Sequence, residues 1–377
     1  MTRPLVVLGA TGSIGRQTIE VASYLELEVA ALVAGSPSDD LAKLATEIPE
    51  AMIVVAEESA EARARFGGFG RRVEFGEAAV AEAAARPGST VVNGIVGAAG
   101  LRPSVAALLA GNRLALANKE SLVAGGPVVR AALEAGHGEL IPVDSEHSAL
   151  WQCLVGEDIE TVRRLILTAS GGPFRGADRA RLASVTVDEA LRHPTWNMGP
   201  RITVDSATLV NKALEVIEAY LLFEIGLAAI DVVVHPKSIV HSLVEFVDGS
   251  IKAQLGDPDM RKAIQYAITY PGRQPAARLG FDLTAEPLVF EPVDRAAFRG
   301  LDLGYQAGTA GGSAPAVLNA ADEVAVDAFL AGRIGFLSIT DVIEECLDAI
   351  EVVPLESVDH VMEIDAEARR VARSVVS

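Results

Sequence analysis

Short apolar blocks separated by helically spaced, more polar stretches fill the first third of the chain. Leu5-Val6-Val7-Leu8 runs into Gly9-Ala10-Thr11-Gly12-Ser13-Ile14-Gly15, and Gln17 to Ala22 follows with helical spacing. Strand-like blocks at 29–33, 51–55, 72–75, 90–93 and 114–117 alternate with helical spacing near 57–66, 77–86 and 101–110. One strand per helix predicts a doubly wound parallel sheet of the α/β class. Beyond Val162 that rhythm is lost. Strand-like 162–168, 231–236 and 239–246 lead to Asp248-Gly249, a hairpin signal, and then to 250–255, which predicts a second, α+β domain. Past the proline-rich stretch from Pro271 to Pro292, helical spacing over 313–330, 339–350 and 355–375 is broken at Gly332, Gly335 and Pro354, and predicts a small helical bundle. The expected domains are 1–143, 144–280 and 301–377, with a linker over 281–300.

Composition agrees with a folded α/β chain: 377 residues are too many for one core, and half are hydrophobic. No apolar run approaches the roughly 18 residues of a membrane span. The chain enters its first strand almost directly after Met1, without a signal or transit pattern, so a cytoplasmic location is expected. A formal charge of -19 argues against a nucleic-acid surface, and an anionic small ligand would need a locally donor-rich pocket. Cys153 and Cys346 sit in apolar helical contexts and read as buried free thiols, so neither a disulfide nor a thiolate metal site is expected.

Candidate chemistry begins at the glycine turn. Strand, glycine turn and helix form the context in which Gly9, Gly12 and Gly15 let a pyrophosphate approach the backbone and the helix start. After the second strand, Ala34-Gly35-Ser36 has no acid to hold a ribose 2′-hydroxyl, which favours NADP over NAD; Ser36 and Ser38 offer hydrogen bonds but no charge. Gly94, Gly97 and Gly100 punctuate a second turn. Asn118-Lys119-Glu120-Ser121 stands just past a strand end, either as a ligand site or as a helix cap led by Asn118.

Asp144 and Glu146 stand two apart after the run Glu139 to Val143. On an extended backbone that spacing places them on one face, where they suit a divalent metal or a proton-sharing pair, the plain alternative being a solvated acidic loop. Ser170-Gly171-Gly172 after a strand reads as an anion nest or an ordinary loop. The aperiodic mixture His193-Pro194-Thr195-Trp196-Asn197-Met198-Gly199 suits a lid. A helix over 205–220 is expected, with Leu209, Ala213, Ile217 and Tyr220 as its core stripe. On it Asn211, Lys212 and Glu215 share a face, which is either a surface pair or the completion of a metal site with Ser206, Asn211 and Lys212 holding a phosphate. His147, His235 and His241 could each be a ligand but, scattered without a shared spacing, are not assigned to a metal, and Asn319 and Asp322-Glu323 are as readily exposed helix residues as anything else.

Together these features suggest a metal-assisted reductase for a phosphorylated hydroxy-ketone. The competing classes are a silent NADP-binding sensor and a simple metal-dependent hydroxy-acid dehydrogenase. The segments GATGSIG (9–15), LANKES (116–121), VDSEHSA (143–149), ASGGPF (169–174), HPTWNMG (193–199), DSATLVNKALEVIEA (205–219) and HPKSIVHSLVEF (235–246) resemble the 1-deoxy-D-xylulose 5-phosphate reductoisomerase family, in collinear order over nearly the whole chain. The resemblance implies a Rossmann-like NADP domain, an α+β catalytic domain with a flexible flap, and a helical bundle. It implies Mg2+ or Mn2+ on Asp144, Glu146 and Glu215, and a substrate phosphate on Ser170, Ser206, Asn211 and Lys212. Ser145, Glu146, His193 and His241 would lie along the substrate, Trp196 and Met198 on the flap, and Lys119 and Glu120 near the reacting end. NADPH would be held by Gly9, Thr11, Gly12, Ser13, Ile14, Gly35, Ser36, Asn118, Lys119, Glu120 and Gly199. A homodimer acting on a phosphorylated sugar is implied as well. Relatives often carry a basic or amide residue where this chain has Ser36-Pro37-Ser38, which bears on the strength of NADPH selectivity.

Overall fold

A computed structural model describes residues 3–196, 198–276, 280, 282–285 and 287–377. The chain forms two compact units: residues 1–121, 128–148 and 259–279 make the first, and 122–127, 149–258 and 280–377 the second.

The first unit is built on seven parallel strands: β1 (Leu5–Leu8), β2 (Val29–Ala34), β3 (Met52–Val55), β4 (Val73–Phe75), β5 (Thr90–Asn93), β6 (Arg113–Leu116) and β7 (Glu139–Pro142), in the order β4-β3-β2-β1-β5-β6-β7. Every residue of β1, β2, β5 and β6 is buried, as expected of strands with both faces covered. The direction of winding reverses at β1 and β5. A crevice therefore opens beyond their carboxyl ends, where ligands of such sheets bind.

Residues 259–276, which the sequence places with the catalytic segment, pack in this first unit. The helix Met260–Thr269 lies on the helix Ser13–Tyr24, Arg261 Nη1 reaches Glu20 Oε1 at 2.8 Å, and Arg113 Nη1 donates to the Tyr270 carbonyl at 2.7 Å. Those partners come from segments about 150 and 240 residues away, so local pattern holds no trace of them.

The second unit contains β8 (Val162–Ala169), β9 (Ile230–Val234), β10 (Val240–Phe246), β11 (Ile251–Leu255) and β12 (Glu291–Pro292), ordered β11-β10-β8-β9-β12, with only β8 and β9 parallel. The helices Ala314–Leu330, Ser338–Ala349 and Val358–Val375 belong to this same unit. A further helix, Gly300–Ala310, begins at the end of the expected linker and packs on Val210–Phe223. Its glycines weaken the helical signal but permit the approach: a Cβ on Gly304 would meet Ala213 Cβ at 2.5 Å, and one on Gly300 the Thr208 carbonyl at 2.6 Å.

The helix expected over 205–220 is two helices, Pro200–Thr208 and Val210–Phe223, broken at Leu209 with φ +61°. The Thr208 hydroxyl accepts from the Val210 N–H at 3.3 Å, a local bond that competes with the helical ladder. Tyr220, assigned to the core stripe, is exposed, whereas Ala213 and Ile217 are buried.

Candidate active site

In the first unit two glycine turns meet. Gly9 has φ +76°, and a Cβ there would lie 2.8 Å from the Gly94 carbonyl; a Cβ on Gly15 would run into the Gly9 carbonyl and approach Ala10 Cα to 2.6 Å. Both positions therefore exclude any larger residue. Gly12 is the N-cap of Ser13–Tyr24 and provides no side-chain acceptor, and Gly12 and Ser13 are exposed while Thr11 and Ile14 are partly so. Gly35 and Ser36 are exposed after β2, and the Ser38 hydroxyl caps the helix Asp39–Glu47 by accepting from Leu41 N at 3.2 Å.

Asn118 fills the capping role open to it from sequence. It caps the helix Lys119–Gly136, accepting from Ser121 N at 3.1 Å, and its Nδ2 donates to the Gly97 carbonyl at 3.0 Å and to Glu120 Oε2 at 2.9 Å. The next residue, Lys119, is buried and places Nζ 2.5 Å from Asp144 Oδ2.

Asp144 and Glu146 do not lie on one face of a strand. β7 ends at Pro142, and Glu146 is in the first turn of the helix Ser145–Leu154. The Asp144 side chain instead accepts from Glu146 N at 3.2 Å, which is N-cap behaviour: an acid at this position relieves the helix's free donors. His147 Nδ1 lies 3.2 Å from Asp144 Oδ1, and Ser145 Oγ donates to Glu146 Oε2 at 2.5 Å. Burial opposes ionisation of Asp144, but the Lys119 ammonium and His147 overcome it and hold the carboxyl well below its ordinary range. His147, left unassigned in the sequence, thus belongs to this cluster.

In the second unit β8 delivers Ser170-Gly171-Gly172, whose two glycines have φ +82° and +63°, with Gly172 N donating to Ser170 Oγ at 3.2 Å. His193 Nε2 lies 3.1 Å from Ser170 Oγ and 3.2 Å from Ser206 Oγ. Its Nδ1 accepts from Thr195 N at 3.1 Å and Trp196 N at 2.9 Å, so the neutral ring carries its proton on Nε2, facing the two hydroxyls. Burial lowers its pKa and favours this neutral form. Trp196 leans toward His241, with ring centroids 6.4 Å apart; Met198 is partly buried and Gly199 exposed, while Asn197 lies outside the described residues.

Asn211, Lys212 and Glu215 do share a helical face, on which Lys212 and Glu215 are buried and Asn211 half-buried, so the surface-pair reading is excluded. Glu215 is 1% and Lys212 4% exposed; Asn211 Nδ2 donates to Glu215 Oε1 at 2.5 Å, and Lys212 Nζ bonds Glu215 Oε2 and the Thr168 carbonyl, the latter at 2.6 Å. A buried ion pair is weak as a stabiliser, so its presence points to a task other than holding the fold. His235 is structural: its Nδ1 lies 2.7 Å from the Val289 carbonyl and its ring stacks on Phe290. Asn319 and Asp322, for which an exposed helix face is only one reading open from sequence, are fully buried beside Arg201. Spacings of about 120 residues hid that cluster from the sequence.

Family models match three stretches of the chain. Residues 5–126 match 1-deoxy-D-xylulose 5-phosphate reductoisomerase, 140–223 the C-terminal domain of the same reductoisomerase, and 255–371 the DXP reductoisomerase C-terminal domain. A 1-deoxy-D-xylulose 5-phosphate reductoisomerase of Geobacillus sp. is 50% identical over 376 residues, covering 98% of this chain and 99% of its own. The structure of the Zymomonas mobilis reductoisomerase in complex with NADPH is 40% identical, covers 100% of both chains, and has a TM-score of 0.93. A DOX-P reductoisomerase structure in complex with NADPH, fosmidomycin and magnesium is 36% identical, covers 99% of this chain and 98% of that one, and has a TM-score of 0.94.

Proposed function

Because the chain belongs to the 1-deoxy-D-xylulose 5-phosphate reductoisomerase family, we propose that it converts 1-deoxy-D-xylulose 5-phosphate to 2-C-methyl-D-erythritol 4-phosphate with NADPH and Mg2+. The observation that carries this reading is the shared face of Asn211, Lys212 and Glu215, a half-buried amide with a buried ammonium and a buried carboxylate aligned on one helix turn. A silent cofactor-binding protein has no need to bury that set, and a simple hydroxy-acid dehydrogenase has no need of its phosphate donors.

The residues fit both implied groups. Hard cations take carboxylate oxygens, and Asp144 stays ionised although largely buried, while Glu215 is almost wholly buried. Gly9 and Gly15 leave no space for side chains where a pyrophosphate approaches the start of Ser13–Tyr24. When bound, the metal supplies Lewis-acid polarisation of the ketone and its neighbouring hydroxyl, and the nicotinamide supplies the hydride.

This chain's own residues bind, orient and enclose. Asp144, Glu146 and Glu215 are assigned to the metal. Ser170, Ser206, Asn211 and Lys212 hold the phosphate: Lys212 brings the charge, and the hydroxyls and amide bring directed donors. His193, with its proton on Nε2, sits 3.1 and 3.2 Å from the two serine oxygens and keeps them facing a common acceptor. Ser145, Glu146 and His241 line the substrate, Lys119 and Glu120 the reacting end, and Trp196 and Met198 close over it and exclude water while the skeleton rearranges to a branched aldehyde and is reduced. Gly9, Thr11, Gly12, Ser13, Ile14, Gly35, Ser36, Asn118, Lys119, Glu120 and Gly199 are assigned to NADPH, with preference for the 2′-phosphate resting on the lack of an acid after β2. Use of Mn2+, a homodimer, a cytoplasmic location and a division into cofactor, catalytic and helical domains belong to the same proposal and rest on the family resemblance.

The test is isotopic. NADPH carrying deuterium at the transferable position should yield 2-C-methyl-D-erythritol 4-phosphate one mass unit heavier. Unlabelled product, or an unrearranged reduced sugar, would overturn the reading.

A further inference from the structure

Arg201 stands on the helix Pro200–Thr208, two residues past the loop that begins at His193 and five before Ser206. Its guanidinium faces an acid or an amide at each of its three nitrogens, closest at Nη1. Nη1 meets Glu323 Oε1 at 2.9 Å, Nη2 faces Asn319 Oδ1 at 3.3 Å and Asp322 Oδ2 at 3.6 Å, and Nε faces Asp205 Oδ2 at 3.7 Å. Asn319, Asp322 and Glu323 fall at helical spacing on one face of Ala314–Leu330, so a single helix face receives the planar fork. That face is itself braced: Asn319 Nδ2 donates to Glu323 Oε1 at 3.1 Å, and Arg369 joins Glu323 Oε2 at 2.6 Å to Asp365 Oδ2 at 2.6 Å.

Buried ionic clusters of this kind add little net stability compared with apolar packing, and their better-attested use is to select one geometry. The geometry available for selection is the rotation of a nine-residue helix that has no side-chain cap at Gly199 and ends in the left-handed Leu209. Five residues on from Arg201, Ser206 projects from a different side of that helix, and its Oγ lies 3.2 Å from His193 Nε2. A small rotation about the axis would carry the hydroxyl away from His193 and Ser170.

We propose that Arg201 is a positioning residue: docked on Asn319, Asp322 and Glu323, it fixes the rotation of Pro200–Thr208 and so aims Ser206 at the substrate phosphate. The inference rests on the assignment of Ser206 to that phosphate, and the experiment separates the two. Arg201→Lys keeps the charge but not the fork, and should raise the KM for 1-deoxy-D-xylulose 5-phosphate about tenfold, with kcat changed less than about threefold and the KM for NADPH unchanged. Glu323→Gln, which keeps the volume at Arg201's shortest contact, should give the same pattern more weakly.

Ser206→Ala serves as the reference. In the double variant Ser206→Ala with Arg201→Lys, the KM should be no higher than in Ser206→Ala alone, because Arg201 acts through that hydroxyl. Additive effects, an unchanged KM in folded Arg201→Lys, or a parallel fall of kcat and thermal stability with both KM values constant would each overturn the inference. If Ser206→Ala itself leaves the KM unchanged, the phosphate assignment fails instead, and Arg201 loses its proposed target.

Discussion

Each unit of the molecule buries a lysine against a carboxylate, and the two pairs are made differently. Lys119 and Asp144 come from separate segments, just past the ends of β6 and β7, and are brought together by adjacent strands of the parallel sheet. Lys212 and Glu215 lie three apart on one helix and meet through its periodicity. In the first pair the acid is shared with His147 and a backbone N–H; in the second with Asn211, while Lys212 is also held by the carbonyl of Thr168. A pairing set by helical spacing can be read from sequence, whereas one set by strand adjacency needs the sheet order first.

Neutralising the two acids should have the largest effect. Asp144→Asn and Glu215→Gln should each lower kcat by about a thousandfold or more, through loss of a carboxylate for the metal, while NADPH affinity measured by fluorescence titration stays within about twofold. Glu215→Gln should also lower stability by about 3 kcal/mol in urea unfolding, since Lys212 is left almost fully buried without its counter-charge. Near-full activity in either variant would remove that residue from the metal assignment.

A smaller effect separates the cofactor side. Gly15→Ala forces a methyl group against the Gly9 carbonyl, and should cost about 1–3 kcal/mol of stability and weaken NADPH binding. Unchanged NADPH affinity with native stability would show that the turn has slack.

An effect of similar size, on the helical side, depends on pH. Burial, reinforced by Glu323 and opposed by Arg201 and Asp205, pushes Asp322 up to about 7 from an ordinary value of 3.8. Between those values the folded protein binds more protons at this site than the unfolded chain, so its contribution to stability falls as pH rises through the window. Asp322→Asn should therefore flatten that fall and be more stable than the parent at pH 8, by on the order of 1–3 kcal/mol. A variant less stable than the parent at pH 8 would mean that the ionised acid is needed by Arg201.

Much of the first unit was legible because strands covered on both faces are unbroken apolar blocks, and the glycine turn after β1 carries its own steric reason. The face of Asn211, Lys212 and Glu215 was legible from spacing alone. Asp144 and Glu146 were singled out on a geometry the fold does not have: the residues after β7 cap and open a helix, and a two-residue spacing does not distinguish that from an extended strand end. The helix Gly300–Ala310 was hidden because the glycines that admit Val210–Phe223 also lower its propensity. Arg201 could not be paired with Asn319 and Glu323 before the fold was known, since nothing local links them.

The most direct measurement is the oxidation of NADPH by 1-deoxy-D-xylulose 5-phosphate, followed by absorbance with and without Mg2+. Consumption should require both the sugar phosphate and the metal, and should disappear in Asp144→Asn and Glu215→Gln alike. Consumption indifferent to Mg2+, or none with the metal present, would contradict the proposed reaction.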